Sequence, residues 1–570
     1  MALSRKVKVA IASSVVAAAL VGTVAHIKTK NHFKPNIWNY QAYMSKESIE
    51  GFSKNFSYKE FGDVSEFSKA IEDKRAIAGV GSDFQIAWMA QKELIRKVDF
   101  ARLFKSNKAL SEQFAVDPDK KPEENLAKRR AAIASILRPE TLAHLDNYNA
   151  FMYKMGSKQK GIIDVDGDGL QDQLWEFVVP YFIQDKVVAY TTGDYDNNGT
   201  QTPLRQAITT WDDAKKQDIR ENGIKFPKQD LVSIAKTLRE NGYKYFEWTE
   251  AMRDNLLAGS ELVNDPELKN NGYTGVVDSQ NYIKQIDKYV ELVKEATGHE
   301  LSNTEINSIK SSGLELLTAL IDPNVKTEVG FIYNGDALDA LNGSDNFSSL
   351  EDGTTLRVIR PKNNLTLLDG WIITKDVDDN LVNQFIDDLY ENLVKGEDYS
   401  VDELVSESLQ KVNYNFVKED DKFVEKKGRG FKLDFSALPN LNNFDAVNYT
   451  PAFKSTYEYF EKFYFNDAIK EVKKSEDDEE AESVLVDAND EIISALPSYQ
   501  NIKVETSEGS TMLAKNIYKS QPKKQTINGL EVKEDTPEQE QYEVVYKFIV
   551  PVGESLNSEI KTEYNSKTKS

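Results

Sequence analysis

Carboxylates and aromatic side chains recur where apolar runs of this sequence end. The segment GVGSDF, residues 79–84, follows an apolar run and precedes a helical pattern, so Ser82 and Asp83 are expected at the carboxyl end of a strand. A helix start that binds phosphate needs its positive end uncompensated, whereas the Asp83 carboxylate directs this loop towards cations or hydroxyl groups. The alternative is a tight turn capped by Ser82 or Asp83.

A pair of carboxylates lies in the segment WTEAMRDN, residues 248–255. Glu250 and Asp254 are four residues apart, so on a helix they share one face near the positive end of the helix dipole, which keeps them ionised. Two ionised carboxylates on one face are available to a cationic ligand. The alternative is an exposed helix face on which Arg253 is their intrahelical partner.

Two later strand-like runs bring one aromatic ring and one further carboxylate. Tyr333 ends the run VGFIY, and Asp369 lies between the apolar residues of LLDGW. An unpaired buried carboxylate costs several kcal/mol. Asp369 is therefore predicted to be either a turn former before Gly370 or a ligand for a positive group.

The segment IIDVDGDGLQD, residues 162–172, has the spacing of a calcium-binding loop. Its predicted metal ligands are Asp164, Asp166, Asp168 and Asp172. The last position of such a loop is normally acidic and is here Trp175. A structural Ca²⁺ is thus one prediction, and a turn rich in Asp and Gly is the other; no other cofactor is expected.

Composition excludes several classes of function. The 570 residues include 93 Asp and Glu against 71 Lys and Arg, a net charge of −22, so an unaided nucleic-acid binder is not expected. The absence of cysteine excludes disulfides, thiolate zinc sites, cysteine nucleophiles and a lipid-modified cysteine. With four histidines, an imidazole-rich metal or catalytic site is not expected either.

The N-terminus resembles an export signal. Residues 9–27 carry no formal charge and, as a helix, are just long enough to cross about 30 Å of hydrocarbon. Arg5, Lys6 and Lys8 precede them. We expect a retained transmembrane anchor that places the chain on the extracytoplasmic face of the cell membrane; a cleaved signal and a secreted chain is the alternative, and a buried core helix is the third reading.

Short apolar runs alternate with amphipathic stretches, which predicts an α/β fold. The apolar block 174–193 is predicted to form consecutive strands that cross between two lobes, and residues 558–570 are predicted to be disordered. Strands contributed by both halves of the chain predict a hinge. The predicted divisions are a signal anchor or signal peptide (1–35), the first part of lobe 1 (36–182), lobe 2 (183–366), a return to lobe 1 (367–415), a closing segment (416–470), and an acidic linker with a C-terminal extension of unassigned role (471–570).

Five short segments, in the same order along the chain, resemble motifs of the spermidine/putrescine-binding proteins of polyamine ABC transporters. They are Asn39-Tyr40-Gln41-Ala42-Tyr43, Val80-Gly81-Ser82-Asp83-Phe84, Thr249-Glu250-Ala251-Met252-Arg253-Asp254, Phe331-Ile332-Tyr333-Asn334-Gly335 and Leu367-Leu368-Asp369-Gly370. The resemblance covers residues 36–465, apart from insertions. It implies a type II periplasmic-binding-protein fold with hinge strands and helical insertions, a polyamine ligand, and permease and ATPase subunits of an ABC transporter as partners.

The ligand-binding residues that follow from these segments suit a thin chain with ammonium groups at intervals. Carboxylates would pair with the ammonium groups, aromatic faces would lie along the methylenes, and polar groups would accept the remaining N–H donors. The predicted set is Tyr40, Gln41, Tyr43, Ser82, Asp83, Phe84, Glu250, Asp254, Tyr333 and Asp369. No catalytic residue is predicted. The alternatives are a binding protein for another small solute, a surface adhesion or structural protein, and a surface hydrolase that uses paired carboxylates.

Overall fold

The computed structural model describes most of the chain from residue 34 onward. The described residues are 34–155, 161–192, 211–263, 272–322, 325–343, 350, 353, 355–419, 422–465, 469–473, 481–486, 491–495, 498–502 and 510–569. Within these ranges no helix is long and apolar enough to cross a membrane. The predicted anchor at residues 9–27 lies outside them.

These residues include nineteen strands and nineteen α-helices. The strands are β1 (Asn36–Tyr40), β2 (Ser57–Phe61), β3 (Ala78–Ser82), β4 (Ile95–Arg96), β5 (Val179–Gln184), β6 (Lys186–Thr191), β7 (Phe246–Thr249), β8 (Asn307–Lys310), β9 (Val329–Tyr333), β10 (Leu356–Ile359), β11 (Asn363–Leu365), β12 (Leu367–Thr374), β13 (Leu409–Glu419), β14 (Lys422–Leu433), β15 (Ile469–Lys473), β16 (Ala481–Leu485), β17 (Lys524–Thr526), β18 (Gln541–Glu543) and β19 (Val545–Lys547). The helices are α1 (Lys46–Phe52), α2 (Val64–Glu72), α3 (Asp83–Gln91), α4 (Phe100–Leu103), α5 (Lys108–Phe114), α6 (Pro122–Ile136), α7 (Pro139–Asn147), α8 (Asp213–Asn222), α9 (Leu231–Glu240), α10 (Met252–Ser260), α11 (Tyr282–Thr297), α12 (Gly313–Ile321), α13 (Asn334–Leu341), α14 (Asp379–Leu389), α15 (Val401–Ser408), α16 (Pro439–Val447), α17 (Lys454–Phe463), α18 (Ser510–Tyr518) and α19 (Glu554–Thr568).

Lobe 1 is built on a six-stranded sheet in the order β2-β1-β3-β12-β4, with β5 also paired to β12. Strands β1, β2 and β3 are parallel, and β12 runs antiparallel to its neighbours. Parallel strands of this kind are buried on both faces, which fits the fully buried β3. Helices α4–α7 form the helical insertion of this lobe and pack in the same core.

Lobe 2 is built on a five-stranded sheet in the order β10-β6-β9-β7-β8. The side chains of β6 alternate between two cores: Val187 and Ala189 pack on one face, and Val188 and Tyr190 on the other. The C-terminal part of the chain covers both faces of this sheet, because Ile517 lies in the first core and Ile560 in the second.

The chain crosses between the lobes at two adjacent places. Strand β5 belongs to lobe 1 and β6 to lobe 2, and the single residue Asp185 joins them. The return crossing runs from Arg360 through β11 to β12. Arg360 Nε contacts Asp185 Oδ2 at 2.8 Å, and both side chains are buried, so an ion pair ties the two crossings together.

The structure differs from three sequence predictions. The change of lobe falls at Asp185 rather than after residue 182, because β5 pairs with β12 of lobe 1. Within the predicted return to lobe 1, 367–415, helix α15 packs in a core of lobe 2 instead. Residues 558–570, predicted to be disordered, lie mostly in α19; buried Ile560 and Tyr564 attach this helix to lobe 2.

Candidate functional site

Six of the ten predicted ligand residues meet where the two lobes face each other. Tyr40, Tyr43, Ser82 and Asp369 come from lobe 1, and Asp254 and Tyr333 from lobe 2; together they are called the interlobe site. Tyr333 packs against the lobe 1 core although it ends a lobe 2 strand. The lobes are therefore in contact at this site.

Strand ends position these side chains. Tyr40 ends β1, Ser82 ends β3 and is the N-cap of α3, and Tyr333 ends β9 before α13. Asp254 lies in the first turn of α10, just after β7. The carboxyl ends of strands in α/β sheets are where ligands commonly bind, and both lobes direct theirs towards the hinge.

Asp369 lies within β12, not in a turn, so the turn-former interpretation is wrong. It is opposite Ser82 on β3, and the register with β5 shifts between Asp369 and Gly370. Such a bulge re-aims a side chain. A Cβ on Gly370 would lie 2.2 Å from Val178 Cγ2 and 2.9 Å from the Val179 carbonyl oxygen of β5, so the close approach of the two strands requires glycine.

The buried Asp369 carboxylate receives hydrogen bonds from three neutral groups. Ser82 Oγ donates to Oδ1 at 2.7 Å, Tyr43 Oη to Oδ2 at 2.9 Å, and Gln184 Nε2 to Oδ2 at 2.6 Å. No ion pair to Asp369 is formed within the described ranges. Burial raises the pKa of Asp369; with the opposing effect of the hydrogen bonds from Ser82 and Tyr43 and a further rise caused by the nearby carboxylates of Asp83 and Asp254, the pKa comes to about 7.

The lobe 2 side of the site already contains a cation, the ammonium group of Lys186. Its Nζ lies 3.2 Å from Asp254 Oδ2, 3.1 Å from Thr249 Oγ1 and 3.6 Å from the centre of the Tyr333 ring. Tyr333 Oη donates to the same oxygen of Asp254. Burial lowers the pKa of Lys186, and Asp254 opposes the shift.

Asp83 and Phe84 lie beside the interlobe site, but their side chains contact other residues. Asp83 is fully buried; its Oδ2 contacts His144 Nε2 at 2.5 Å and accepts a hydrogen bond from the Leu368 N–H at 2.9 Å. Ser82 caps α3, so the predicted capped turn is present together with the Ser82–Asp369 contact. Phe84 packs with Ile549 in a small apolar cluster between the lobes.

Gln41 and Glu250 do not join the group. Gln41 is exposed at the surface of lobe 1. Glu250 pairs with Lys569 at the end of the C-terminal helix. The predicted pairing of Arg253 with its neighbours on the helix is also not formed: Arg253 is buried and donates from Nη2 to the Val550 carbonyl at 2.8 Å.

Residues 545–550 of the C-terminal extension run between the lobes beside this site. Strand β19 pairs with β11 at the return crossing. Tyr148 of lobe 1 donates to the Ile549 carbonyl at 3.0 Å, and the Phe548 ring packs 5.1 Å from that of Tyr148. Arg253 of lobe 2 donates a hydrogen bond to the next carbonyl, that of Val550, so this segment is hydrogen-bonded to both lobes.

The predicted calcium loop brings three of its four acidic residues together. Asp164, Asp166 and Asp172 each have a carboxylate oxygen within 4.8 Å of the others, whereas Asp168 accepts from the Leu170 N–H instead. Lys97 Nζ lies among them, 2.7 Å from Asp166 and 2.5 Å from Asp172. Burial raises the pKa of Asp172 to about 6, and Lys97 opposes the rise. Calcium binding by this loop stays a prediction, and Lys97 would compete with the ion.

Sequence reasoning missed Gln184, Lys186 and Lys97 as partners of the predicted acids. The signal for the first two is the polar triplet Gln184-Asp185-Lys186, which interrupts an otherwise apolar block. Polar residues at such a position must find partners, because unpaired burial is costly. Nothing in the local sequence marks Lys97.

The chain is a two-lobed α/β protein. Two adjacent crossings join its lobes, which meet at a site of carboxylates and tyrosines. The chain belongs to the family described as hypothetical lipoprotein (MG045 family), whose model matches residues 5–538. The sequence contains no cysteine to which a lipid could be attached. A search of curated proteins finds no match.

Solved structures give distant likenesses. A putative spermidine/putrescine ABC transporter protein from Listeria monocytogenes is 15% identical, with a TM-score of 0.36, over 63% of this chain and 78% of that one. The spermidine/putrescine substrate-binding protein PotD of Streptococcus pneumoniae, solved with calcium and HEPES, is 14% identical, with a TM-score of 0.34, over 63% and 79%. The GacH receptor of Streptomyces glaucescens is 9% identical, with a TM-score of 0.36, over 75% and 82%.

Proposed function

We propose that this protein is an extracytoplasmic substrate-binding protein that captures a small organic amine between its two lobes and delivers it to the permease of an ABC transporter. Spermidine and putrescine, which the sequence resemblance implies, are the first members of this ligand class to test. The protein acts by binding and not by catalysis. Residues 9–27 would hold it at the membrane, since the chain has no cysteine for a lipid.

The observation that carries this proposal is the Asp369 carboxylate. It is buried beside the carboxylates of Asp83 and Asp254, and its hydrogen-bond donors in the part of the chain that the structure describes are all neutral. A positive group would stabilise a carboxylate in such a place strongly, because a buried charge without a counter-charge is costly in free energy. A ligand ammonium group at Asp369 would supply that charge.

The aromatic residues around Asp369 suit the rest of an amine. Tyr40 and Tyr43 lie edge to face, with ring centres 5.7 Å apart, and the hydroxyl of Tyr40 bonds to that of Ser82. An aromatic face adds about 0.5–2 kcal/mol to the binding of a desolvated ammonium group. Apolar ring surface would also cover the methylenes of the ligand.

A ligand that contacts both lobes would also change how the lobes are arranged. A ligand held by Asp369 of lobe 1 and Tyr333 of lobe 2 favours the arrangement in which the lobes touch, and so shifts the equilibrium between open and closed forms. The permease would then distinguish the loaded protein by its closed shape.

Calorimetric titration with putrescine, spermidine, an amino-acid panel and common anions tests the proposal. We expect an amine to bind, and Asp369→Asn to weaken it by at least about tenfold. Asp213→Asn, which alters a fully exposed carboxylate, is the matched control and should bind normally. Binding of anions alone, or of no solute, would refute amine capture.

The pH dependence of the same titration tests direct contact with Asp369. Because its pKa is raised to about 7, Asp369 is largely protonated at pH 6 and must lose its proton to pair with an ammonium group. We therefore expect affinity to rise by up to about tenfold between pH 6 and pH 8, with proton release at pH 6. An amine that binds equally at both pH values without releasing a proton would lie elsewhere.

A further inference from the structure

The ammonium group of Lys186 has the surroundings expected for the ammonium group of a ligand. A carboxylate oxygen of Asp254, the hydroxyl of Thr249 and the ring of Tyr333 lie around it, at 3.2, 3.1 and 3.6 Å. Carboxylate, hydroxyl and aromatic face are the groups that recognise a primary amine. Asp254 and Tyr333 are two of the residues that the sequence assigns to the ligand.

Lys186 is fixed in this position by its backbone. Its N–H donates to Asn364 Oδ1 at 3.0 Å, and its carbonyl accepts from Asn364 Nδ2 at 2.8 Å. The residue also pairs with Tyr333 in the lobe 2 sheet. The side chain therefore starts from a rigid strand at the hinge and is mostly buried, with 16% of it exposed.

The two halves of the interlobe site are thus unequal. In lobe 2, the carboxylate of Asp254 is paired with a cation of the protein. In lobe 1, the donors to Asp369 are two hydroxyl groups and an amide. The cation position at Asp254 is thus filled by Lys186 of the protein itself, whereas the position at Asp369 is left for a ligand.

We infer that Lys186 is a specificity-determining residue whose ammonium group takes the lobe 2 cation position, so that the interlobe site selects amines with one ammonium group over diamines and polyamines. This inference rests on the proposed function and narrows its ligand class. A second ligand ammonium group would either lie beside Lys186, a buried contact between like charges, or displace it from Asp254. Both cost affinity that a monoamine keeps.

Butylamine and 1,4-diaminobutane form a matched pair of probes, since they have the same carbon chain and differ by one ammonium group. The wild-type protein should bind butylamine at least as tightly as 1,4-diaminobutane. Lys186→Met removes the internal cation and nearly preserves side-chain length. It should reverse the order, with the diamine at least about tenfold tighter than the monoamine.

Lys236→Met, on the exposed side of α9, is the control and should keep the wild-type order. A wild-type protein that binds the diamine tenfold more tightly, or a Lys186→Met protein that keeps the wild-type order, would overturn the role of Lys186 and leave amine capture standing. If neither amine binds either protein, and spermidine and the amino-acid panel do not bind the wild type, amine capture itself fails. Should Lys186→Met not fold, Lys186→Gln takes its place and the wild-type order remains decisive.

Discussion

Replacing Asp369 by asparagine should change how the stability of the protein depends on pH. The pKa of Asp369 is raised from 3.8 to about 7 in the folded protein, chiefly by burial. The folded state therefore binds a proton that the unfolded state has lost over this interval. Stability falls as pH rises between these two values and is level above the upper one.

The change in the free energy of unfolding follows from the distance, in pH units, between the lower pH of the measurement and the raised pKa of Asp369. Between pH 5 and the raised pKa there are roughly two pH units, which correspond to about 3 kcal/mol. Asp369→Asn has no proton to exchange, so this part of the pH dependence should be absent. The new amide can be accommodated, because Gln184 Oε1 is buried without a hydrogen-bond partner and could accept from it after the Gln184 amide turns.

Urea unfolding of both proteins at pH 5 and pH 8 measures this effect. The wild-type free energy of unfolding should fall by about 3 kcal/mol more than that of Asp369→Asn over this range. Other titrating groups cancel in the difference, and Asp213→Asn should follow the wild type. Parallel pH profiles of wild type and Asp369→Asn would show that Asp369 stays ionised in the folded protein and would remove the argument for a missing cation.

Three further changes test other parts of the structure. Lys97→Gln should bind Ca²⁺ at the acidic loop at least about tenfold more tightly than the wild type, because the ammonium group that competes for the carboxylates is gone; equal affinities by calcium titration would contradict this. Ile560→Ala should cost about 2–5 kcal/mol of unfolding free energy, whereas Ile283→Ala, at an exposed position, should cost far less; equal losses in denaturant titrations would mean that α19 is not part of the lobe 2 core. Arg360→Ala should cost about 3–5 kcal/mol, since it leaves Asp185 buried without its cation, and a change below about 1 kcal/mol would exclude a structural role for this pair.

Hydrophobic patterning was enough to predict the layered architecture. The block 174–193 predicts consecutive strands, and β5 and β6 lie within it. The runs near Tyr333 and Asp369 likewise become β9 and β12. Local patterning succeeds here because a strand that is buried on both faces has a short, continuous apolar sequence, which is easy to recognise.

The same reasoning failed for the C-terminal helix. Residues 558–570 are too polar for their pattern alone to predict a helix. In the structure, Ile560 and Tyr564 point into the lobe 2 core, and Tyr564 Oη accepts a hydrogen bond from Asn255 at 2.7 Å. Two buried core side chains, Ile560 and Tyr564, are a weak sequence signal for a helix of this length. Packing against α10 and α11 stabilises the helix where its intrinsic propensity does not.

By itself the sequence determined the residue types of the site, the strand ends that carry them and the export-like N-terminus. Only the tertiary structure decided which charges are compensated. Lys186 reaches Asp254 from the hinge and Lys569 reaches Glu250 from the far end of the chain, whereas the donors that Asp369 meets among the described residues are all neutral. The physical reason is that a charge is stabilised by whichever groups lie within a few ångströms, and that distance depends on how distant segments of the chain pack together.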